Sequence, residues 1–231
     1  MKNRYKQNYS EIKGLGNSNL YLRRSESFFY RKNLEFRKYL FSRNVIPRFV
    51  EWGIFQPNIR MVEIGCGHGD KLHLIFQNAK EGSTLIGLDV SSEMLIKGKA
   101  KYPDLANIMF QGDAFKLDKL VGKYNVLFYL QILQHFTKDQ VKKCLTIAKA
   151  YLKSNGKIVV MNTFVPEKPL SRKIFLALKF LYAKLFTMNP DEYRNLTESE
   201  FVKIADGVGF RLTKRTSAGF TIRALLLNLI D

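Results

Sequence analysis

The central part of the chain alternates short apolar runs with stretches whose apolar positions recur every three or four residues. That pattern predicts parallel strands joined by crossover helices, an α/β fold. Ile59–Ile64 reads as a first strand, followed by Gly65-Cys66-Gly67-His68-Gly69 and a helix over Asp70–Ala79 with Leu72, Ile75 and Phe76 on one side. Ser83–Val90 reads as the second strand. Ser91-Ser92-Glu93 then resembles a helix start before Met94–Ala100, because serine oxygens accept from the free N–H groups of a first turn. Asn107–Gln111 and Tyr124–Leu130 read as the third and fourth strands, and Lys138–Leu152 as a helix. Ser154-Asn155-Gly156 is expected to end that helix, since Asn and Gly tolerate left-handed backbone. Lys157–Phe164 is the fifth strand, Glu198–Val208 a late helix, and Phe210–Thr216 with Phe220–Leu227 a closing pair of strands.

Two regions fall outside the alternation. Residues 1–55 read as a helical N-terminal cover, helical from about Glu26 and rich in aromatics (Phe28, Phe29, Tyr30, Phe36, Tyr39, Phe41). Residues 165–195 read as a helical insert after the fifth strand. Both are expected to pack over one end of the sheet, so that 1–55 and 56–231 make effectively one domain. Ligands of open α/β sheets bind beyond the carboxyl ends of the strands, and the chemically suggestive residues fall there.

At 231 residues, 46% hydrophobic and 25% charged, the chain is long enough for one substantial core and is not generally disordered. No apolar stretch reaches the roughly 18 to 20 residues that span a bilayer. The first residues lack the apolar core of a secretion signal, so a cytoplasmic protein is expected. Two cysteines, Cys66 and Cys144, exclude a disulfide scaffold and a cysteine-based zinc site, and no metal is expected. Charge changes the picture more. The net +18 is uneven: residues 1–60 carry 13 basic and 4 acidic groups, whereas residues 61–150 carry 12 and 9. Such an excess favours anionic partners, among them nucleic acid, an anionic membrane or a phosphorylated substrate, or else reflects compositional drift. The nearly balanced central third suggests that its ligand is not selected by bulk charge.

Three glycines at alternate positions in Gly65-Cys66-Gly67-His68-Gly69 let a ligand approach the backbone at the turn from first strand to first helix. A dinucleotide site wants G-x-G-x-x-G, but Asp70 stands three residues after Gly67 and Glu63 precedes the cluster. Acids on both sides repel a pyrophosphate and suit a cationic or amine-bearing ligand.

Glu63-Ile64-Gly65-Cys66-Gly67-His68-Gly69 resembles the E/D-x-G-x-G-x-G motif of class I S-adenosylmethionine-dependent methyltransferases, and the likeness runs in order through about 60–163. Asp89 ends the second strand where that family's acid holds both ribose hydroxyls, and Gly112-Asp113-Ala114 follows the third where its aspartate reads the adenine amino group. Ile132-Leu133-Gln134-His135-Phe136 is similar to its V-L-H-H-L stretch, and Leu152-Lys153-Ser154-Asn155-Gly156-Lys157 to its L-K-P-G-G. The tail from Leu196 resembles its closing helix and strand pair. The resemblance implies a Rossmann-like, mostly parallel sheet of about seven strands with helices on both faces. It implies S-adenosyl-L-methionine as cofactor, held by Glu63 at the ammonium, by the backbone of Gly65, Cys66, Gly67 and Gly69, by Asp89 and Asp113, and by Val90, Ala114 and Leu130 around the rings. Two departures, Tyr124-Asn125 opening the fourth strand and Gln134 in place of a first histidine, lie on the substrate side.

Methyl transfer is an in-line displacement, so a base is needed only when the acceptor must lose a proton. His135 is the candidate, as base or as positioning residue; its ordinary pKa lies near working pH. Tyr129, Gln131 and Gln134 are candidates to orient substrate or are plain architecture. His68 reads as shaping the glycine turn, and His73 as surface. Leu170–Met188 holds Arg172, Lys173, Lys179 and Lys184 and no acid, with the four basics inside an arc of roughly 140°. It reads as a lid over a hydrophobic substrate or as a peripheral contact with an anionic membrane. A small, fairly hydrophobic acceptor is expected, methylated at oxygen, nitrogen or carbon. RNA is the rival acceptor, although Phe128-Tyr129-Leu130-Gln131 lacks the [DN]-P-P-[FY] of base-amine methylation and Cys144 sits within a helix. A non-catalytic S-adenosylmethionine-binding regulator is the further alternative. The sequence carries no signature of an oligomeric state.

Overall fold

The computed structural model describes residues 28–118, 120–185, 196–219 and 221–230. Seven strands form one sheet: β1 (Arg60–Ile64), β2 (Thr84–Asp89), β3 (Met109–Gln111), β4 (Tyr124–Leu130), β5 (Leu152–Thr163), β6 (Phe210–Ser217) and β7 (Ile222–Leu229), in the order β3-β2-β1-β4-β5-β7-β6. The first five are parallel, and β7 runs antiparallel to both β5 and β6. The order reverses between β1 and β4, the place where open sheets of this kind leave a crevice at the carboxyl ends of the strands.

The helices are α1 (Phe28–Asn44), α2 (Ile46–Glu51), α3 (Asp70–Asn78), α4 (Ser92–Lys101), α5 (Lys138–Tyr151), α6 (Pro169–Leu185) and α7 (Glu198–Gly207). Their starts are chemical. The Ser91 side chain accepts from the Met94 amide, and Thr137–Gln140 and Thr197–Glu200 close reciprocal caps over the first turns of α5 and α7.

Because β1, β4 and β5 are covered on both faces, their apolar runs are continuous and alternate residues enter opposite cores. Met61, Phe128 and Val159 face a core shared with Phe41, Phe49 and Trp52 from α1, α2 and the turn after α2. Val62, Tyr129 and Val160 face the other, shared with Cys144 and Leu145 of α5 and Phe201 of α7. Phe49 packs on Phe128 with ring centroids 6.0 Å apart.

Several expectations are corrected. Helix α5 ends at Tyr151 and passes directly into extended backbone at Leu152, so Ser154-Asn155-Gly156 lies within β5. Gly156 is there for space: a Cβ would stand 2.8 Å from Leu152 Cδ2 and from the Lys153 carbonyl. On α3 the inward set is Leu72, Leu74 and Ile75, and Phe76 is exposed. In the N-terminal cover Phe41 is buried whereas Phe36 and Tyr39 are exposed. Parts of both covers, 1–27 and 186–195, lie outside the described residues, as does Phe220 in the closing strand pair. Among the described residues, no helix is long and apolar enough to cross a membrane.

Candidate active site

The glycine turn leaves β1 and enters α3 with Gly65, Gly67 and Gly69 all in left-handed backbone, at φ 76°, 55° and 79°. Two of these positions have distinct reasons. A Cβ on Gly65 would meet Ile132 Cδ1 at 2.4 Å, so the glycine lets the segment after β4 close down on the turn. At Gly67 only Met94 Cε comes near, at 3.7 Å, and the backbone is left open to a ligand. The turn is tied to the end of β2 by amides: Gly65 and Cys66 donate to the Leu88 carbonyl, and Gly67 donates to Asp89 Oδ2 at 2.8 Å. Asp89 Oδ1 accepts from the Ser91 amide at 2.9 Å. One carboxylate therefore spans the turn and the start of α4. Burial raises the Asp89 pKa, opposed by these backbone donors.

Beneath the turn, Glu63 is fully buried on β1, and neither carboxylate oxygen has a hydrogen-bond partner. Burial pushes its pKa up to about 8, with the neighbouring Lys71 pulling the other way and Asp89 and Asp70 adding to the rise. Burial likewise lowers the Lys71 ammonium, against the pull of Glu63. A carboxylate held this dry without a hydrogen-bond donor is poorly solvated, and a ligand cation relieves it. Glycine backbone with room beside it and an orphaned acid behind it fit a ligand that carries an amine, as S-adenosylmethionine does.

Above the turn lies a cleft of about 200 Å³ at the β1/β4 switch point. It brings together Gly65, Cys66, Gly67, Leu130, Gln131, Gln134 and His135, each singled out from sequence. Leu130 ends β4, and Gln131 follows in left-handed backbone at φ 68°, its amide donating to the Met161 carbonyl at 2.7 Å. Gln131 Oε1 accepts from Arg37 of α1, which bridges the N-terminal cover to the end of β4, while Gln131 Nε2 is buried without a partner. His135, half-buried, sits in a short 3-10 turn over Leu133–His135.

Tyr129 is not part of this cleft. Period-two alternation turns it to the opposite face of β4, where it is fully buried and donates to the Cys144 carbonyl at 3.5 Å. Substrate orientation by Tyr129 is therefore corrected to packing beneath α5. Gln134 borders the cleft, yet its Oε1 accepts from the Thr163 amide at 3.3 Å and its own amide donates to Asn162 Oδ1 at 3.0 Å, which joins the 3-10 turn to β5. Asp113 Oδ1 accepts from the Phe115 amide at 2.8 Å. Asp113, Ala114 and Val90 follow β3 and β2 at the carboxyl edge of the sheet and do not line the cleft. His68 lines the cleft, and burial lowers its pKa, so the ring is neutral at pH 7. His73 is corrected from surface to half-buried: it stacks on Tyr102 at 4.4 Å, with Nδ1 3.1 Å from Asp104. Asp70 also lines the cleft. Burial opposes its ionisation, but Lys101 and the Tyr102 hydroxyl, each 2.7 Å away, hold its pKa below the usual carboxylate value.

Sequence reasoning missed Arg37, Lys38, Leu40 and Phe41 of α1, and also Lys71, Met161, Ala218 and Ile222, all of which line the cleft. No local motif marks them, because they meet the glycine turn only through the fold. Gly98 was missed too, although a glycine inside a helix is a readable signal. A Cβ there would stand 2.8 Å from the His68 carbonyl, so Gly98 lets α4 approach the turn.

Residues 55–200 match the family described as the methyltransferase domain. A demethylmenaquinone methyltransferase of Staphylococcus saprophyticus subsp. saprophyticus is 29% identical over 157 residues, 62% of this chain and 62% of the relative, so the match spans under two thirds of that protein. A carboxy-S-adenosyl-L-methionine synthase of Trichodesmium erythraeum is 37% identical over 68 residues, 29% of this chain and 27% of the relative. The magnesium protoporphyrin IX methyltransferase of Synechocystis PCC 6803, solved with bound S-adenosylhomocysteine, superposes with a TM-score of 0.66 at 17% identity, over 97% of this chain and 99% of its own. The mitomycin 7-O-methyltransferase superposes with a TM-score of 0.63 at 15% identity, over 98% and 67%. At those identities the superpositions speak for the fold. The family match, covering well over half the chain and including the glycine turn, both neighbouring acids and the segment after β4, speaks for kinship: the chain belongs to the methyltransferase domain family.

Proposed function

We propose that the chain is an S-adenosylmethionine-dependent methyltransferase acting on a small, fairly hydrophobic acceptor. The observation that carries the reading is the pairing, at one switch point, of the orphaned Glu63 carboxylate under an open glycine turn with an adjoining cleft whose lining includes Phe41, Leu130, Met161, Ala218 and Ile222. When bound, S-adenosylmethionine supplies a methyl on a sulfonium, whose carbon–sulfur bond breaks as the acceptor attacks in line.

Glu63 accepts from the methionine ammonium, and in doing so gives up the proton that burial holds on it. Asp89, already braced by Gly67 and Ser91, offers its remaining lone pairs to the ribose hydroxyls. Asp113 accepts from the adenine amino group, with Val90 and Ala114 beside the ring. Phe41, Leu130, Met161, Ala218 and Ile222 exclude water from the acceptor side of the cleft. Gln131, held between Arg37 and Met161, orients the acceptor through its spare Nε2 donor. His135 takes the proton when the acceptor is a hydroxyl. The demethylmenaquinone, protoporphyrin and mitomycin acceptors in the names of similar proteins support a hydrophobic small molecule over nucleic acid.

The test supplies purified protein with methyl-labelled S-adenosylmethionine and a host extract split into small polar, lipid, protein and nucleic-acid fractions, with Asp89→Ala as the blank. Label in the small-molecule or lipid fraction is expected. Label in nucleic acid overturns the acceptor class, and binding with no label in any fraction overturns the enzyme.

A further inference from the structure

Helix α6 leaves the sheet six residues after β5, the strand whose Met161 lines the cleft, and it stays on the surface for its described length. Six of its large apolar side chains are open to solvent. Leu170 is 72% exposed, Ile174 53%, Leu178 62% and Leu181 53%. At about 100° per residue these four fall within an arc of roughly 80°, a single stripe along the helix. Phe180 and Leu176 are exposed as well. Six of the large exposed apolar side chains among the described residues thus sit on this one element, where a soluble monomer ordinarily scatters them singly.

The charges on the same element all have one sign. Arg172 and Lys173 are exposed, and from Lys168 to Pro190 the chain has five basic residues and no acid. On the same wheel Lys173 lies about 60° beyond the Leu170 edge of the stripe, whereas Arg172 lies on the far side of the helix. We propose that α6 is a docking surface for an anionic phospholipid bilayer, its Leu170–Ile174–Leu178–Leu181 stripe entering the interface while Lys173 at the edge of the stripe meets lipid phosphates and the acid-free, basic helix draws the protein to the surface. Charge decides among occupants. A second copy meeting the same face would bring two identical basic helices together in a chain of net charge +18. Nucleic acid would satisfy the cations but leave the apolar stripe in water. A bilayer with anionic headgroups satisfies both, as interfacial helices of this composition do.

The inference goes beyond the proposed reaction and is tested without it. Full-length protein is floated with vesicles of phosphatidylcholine alone and of phosphatidylcholine with roughly a third phosphatidylglycerol. Flotation with the anionic vesicles is expected, at least tenfold above the neutral ones and weakened by salt. Ile174→Glu/Leu178→Glu should cut partitioning at least tenfold, and Lys173→Glu should reduce the preference for anionic lipid at least threefold. These positions are exposed, so both variants should keep the wild-type circular dichroism and S-adenosylhomocysteine affinity. Equal recovery with neutral vesicles, no flotation, or variants that float like wild type overturns the proposal. So does a dimer in light scattering that Ile174→Glu/Leu178→Glu dissolves. Vesicle binding requires no methyl transfer, so failure of either reading leaves the other standing.

Discussion

Replacing Glu63 by glutamine tests the site at its electrostatic centre. Burial lifts this carboxyl from its ordinary value of 4.5 to about 8, so the unliganded folded protein keeps a proton there that the unfolded chain has released. Between those values the unfolded state binds fewer protons, and stability falls as pH rises from about 4.5 to about 8, levelling off above. From pH 5 to pH 7.5 the loss is on the order of 3 kcal/mol, taking 1.36 kcal/mol per pKa unit. Glu63→Gln carries no titrating proton, so urea denaturation at the two pH values should show wild type losing about 3 kcal/mol more than the variant. The same acid should report the ligand. If it ionises against the methionine ammonium, wild type releases close to one proton per S-adenosylmethionine bound at pH 7, measured by calorimetry in two buffers of different ionisation enthalpy. The variant should release none and bind more weakly, by roughly 1.5–3 kcal/mol for a lost charged hydrogen bond. Matching pH slopes in the two proteins, or no proton release from wild type, would refute the reasoning.

Asp89→Ala should lower S-adenosylhomocysteine affinity at least about 100-fold in calorimetry, because hydrogen bonds to a charged group contribute roughly 1.5–3 kcal/mol each; unchanged affinity removes Asp89 from the site. His135→Ala should leave that affinity within about twofold while slowing transfer to a hydroxyl acceptor by about 10²–10⁴. Turnover equal to wild type would leave His135 a structural residue. Gly65→Ala forces a Cβ against Ile132 in left-handed backbone and should destabilise by roughly 1–3 kcal/mol, read as a lower thermal midpoint. A midpoint equal to wild type would mean that the turn relaxes freely.

What the sequence determined by itself was local. Alternation and apolar runs are written residue by residue, so β4 is Tyr124–Leu130 as the pattern predicts, and Ser91 caps its helix as its position implies. The glycine turn and the acids at the strand ends were legible for the same reason: left-handed backbone and close ligand approach demand particular residue types at particular spacings. The face that a strand residue takes was readable too. Tyr129 and Leu130 are neighbours in the chain but enter opposite sides of the sheet, and alternation from Leu130 would have separated them.

Only the tertiary structure decided which distant segments meet. Arg37 reaches Gln131 across 94 residues of chain, and Ala218 and Ile222 come to the cleft because β7 lies against β5. It also decided the charge states. Glu63 is an ordinary carboxylate in the sequence; it becomes an acid that holds its proton because packing removes water from both oxygens and supplies no donor in return. The exposed stripe of α6 belongs to the same class of fact. Its leucines and isoleucine read equally well as a packed lid until the fold leaves them facing outward, since burial is a property of what surrounds a residue and not of the residue.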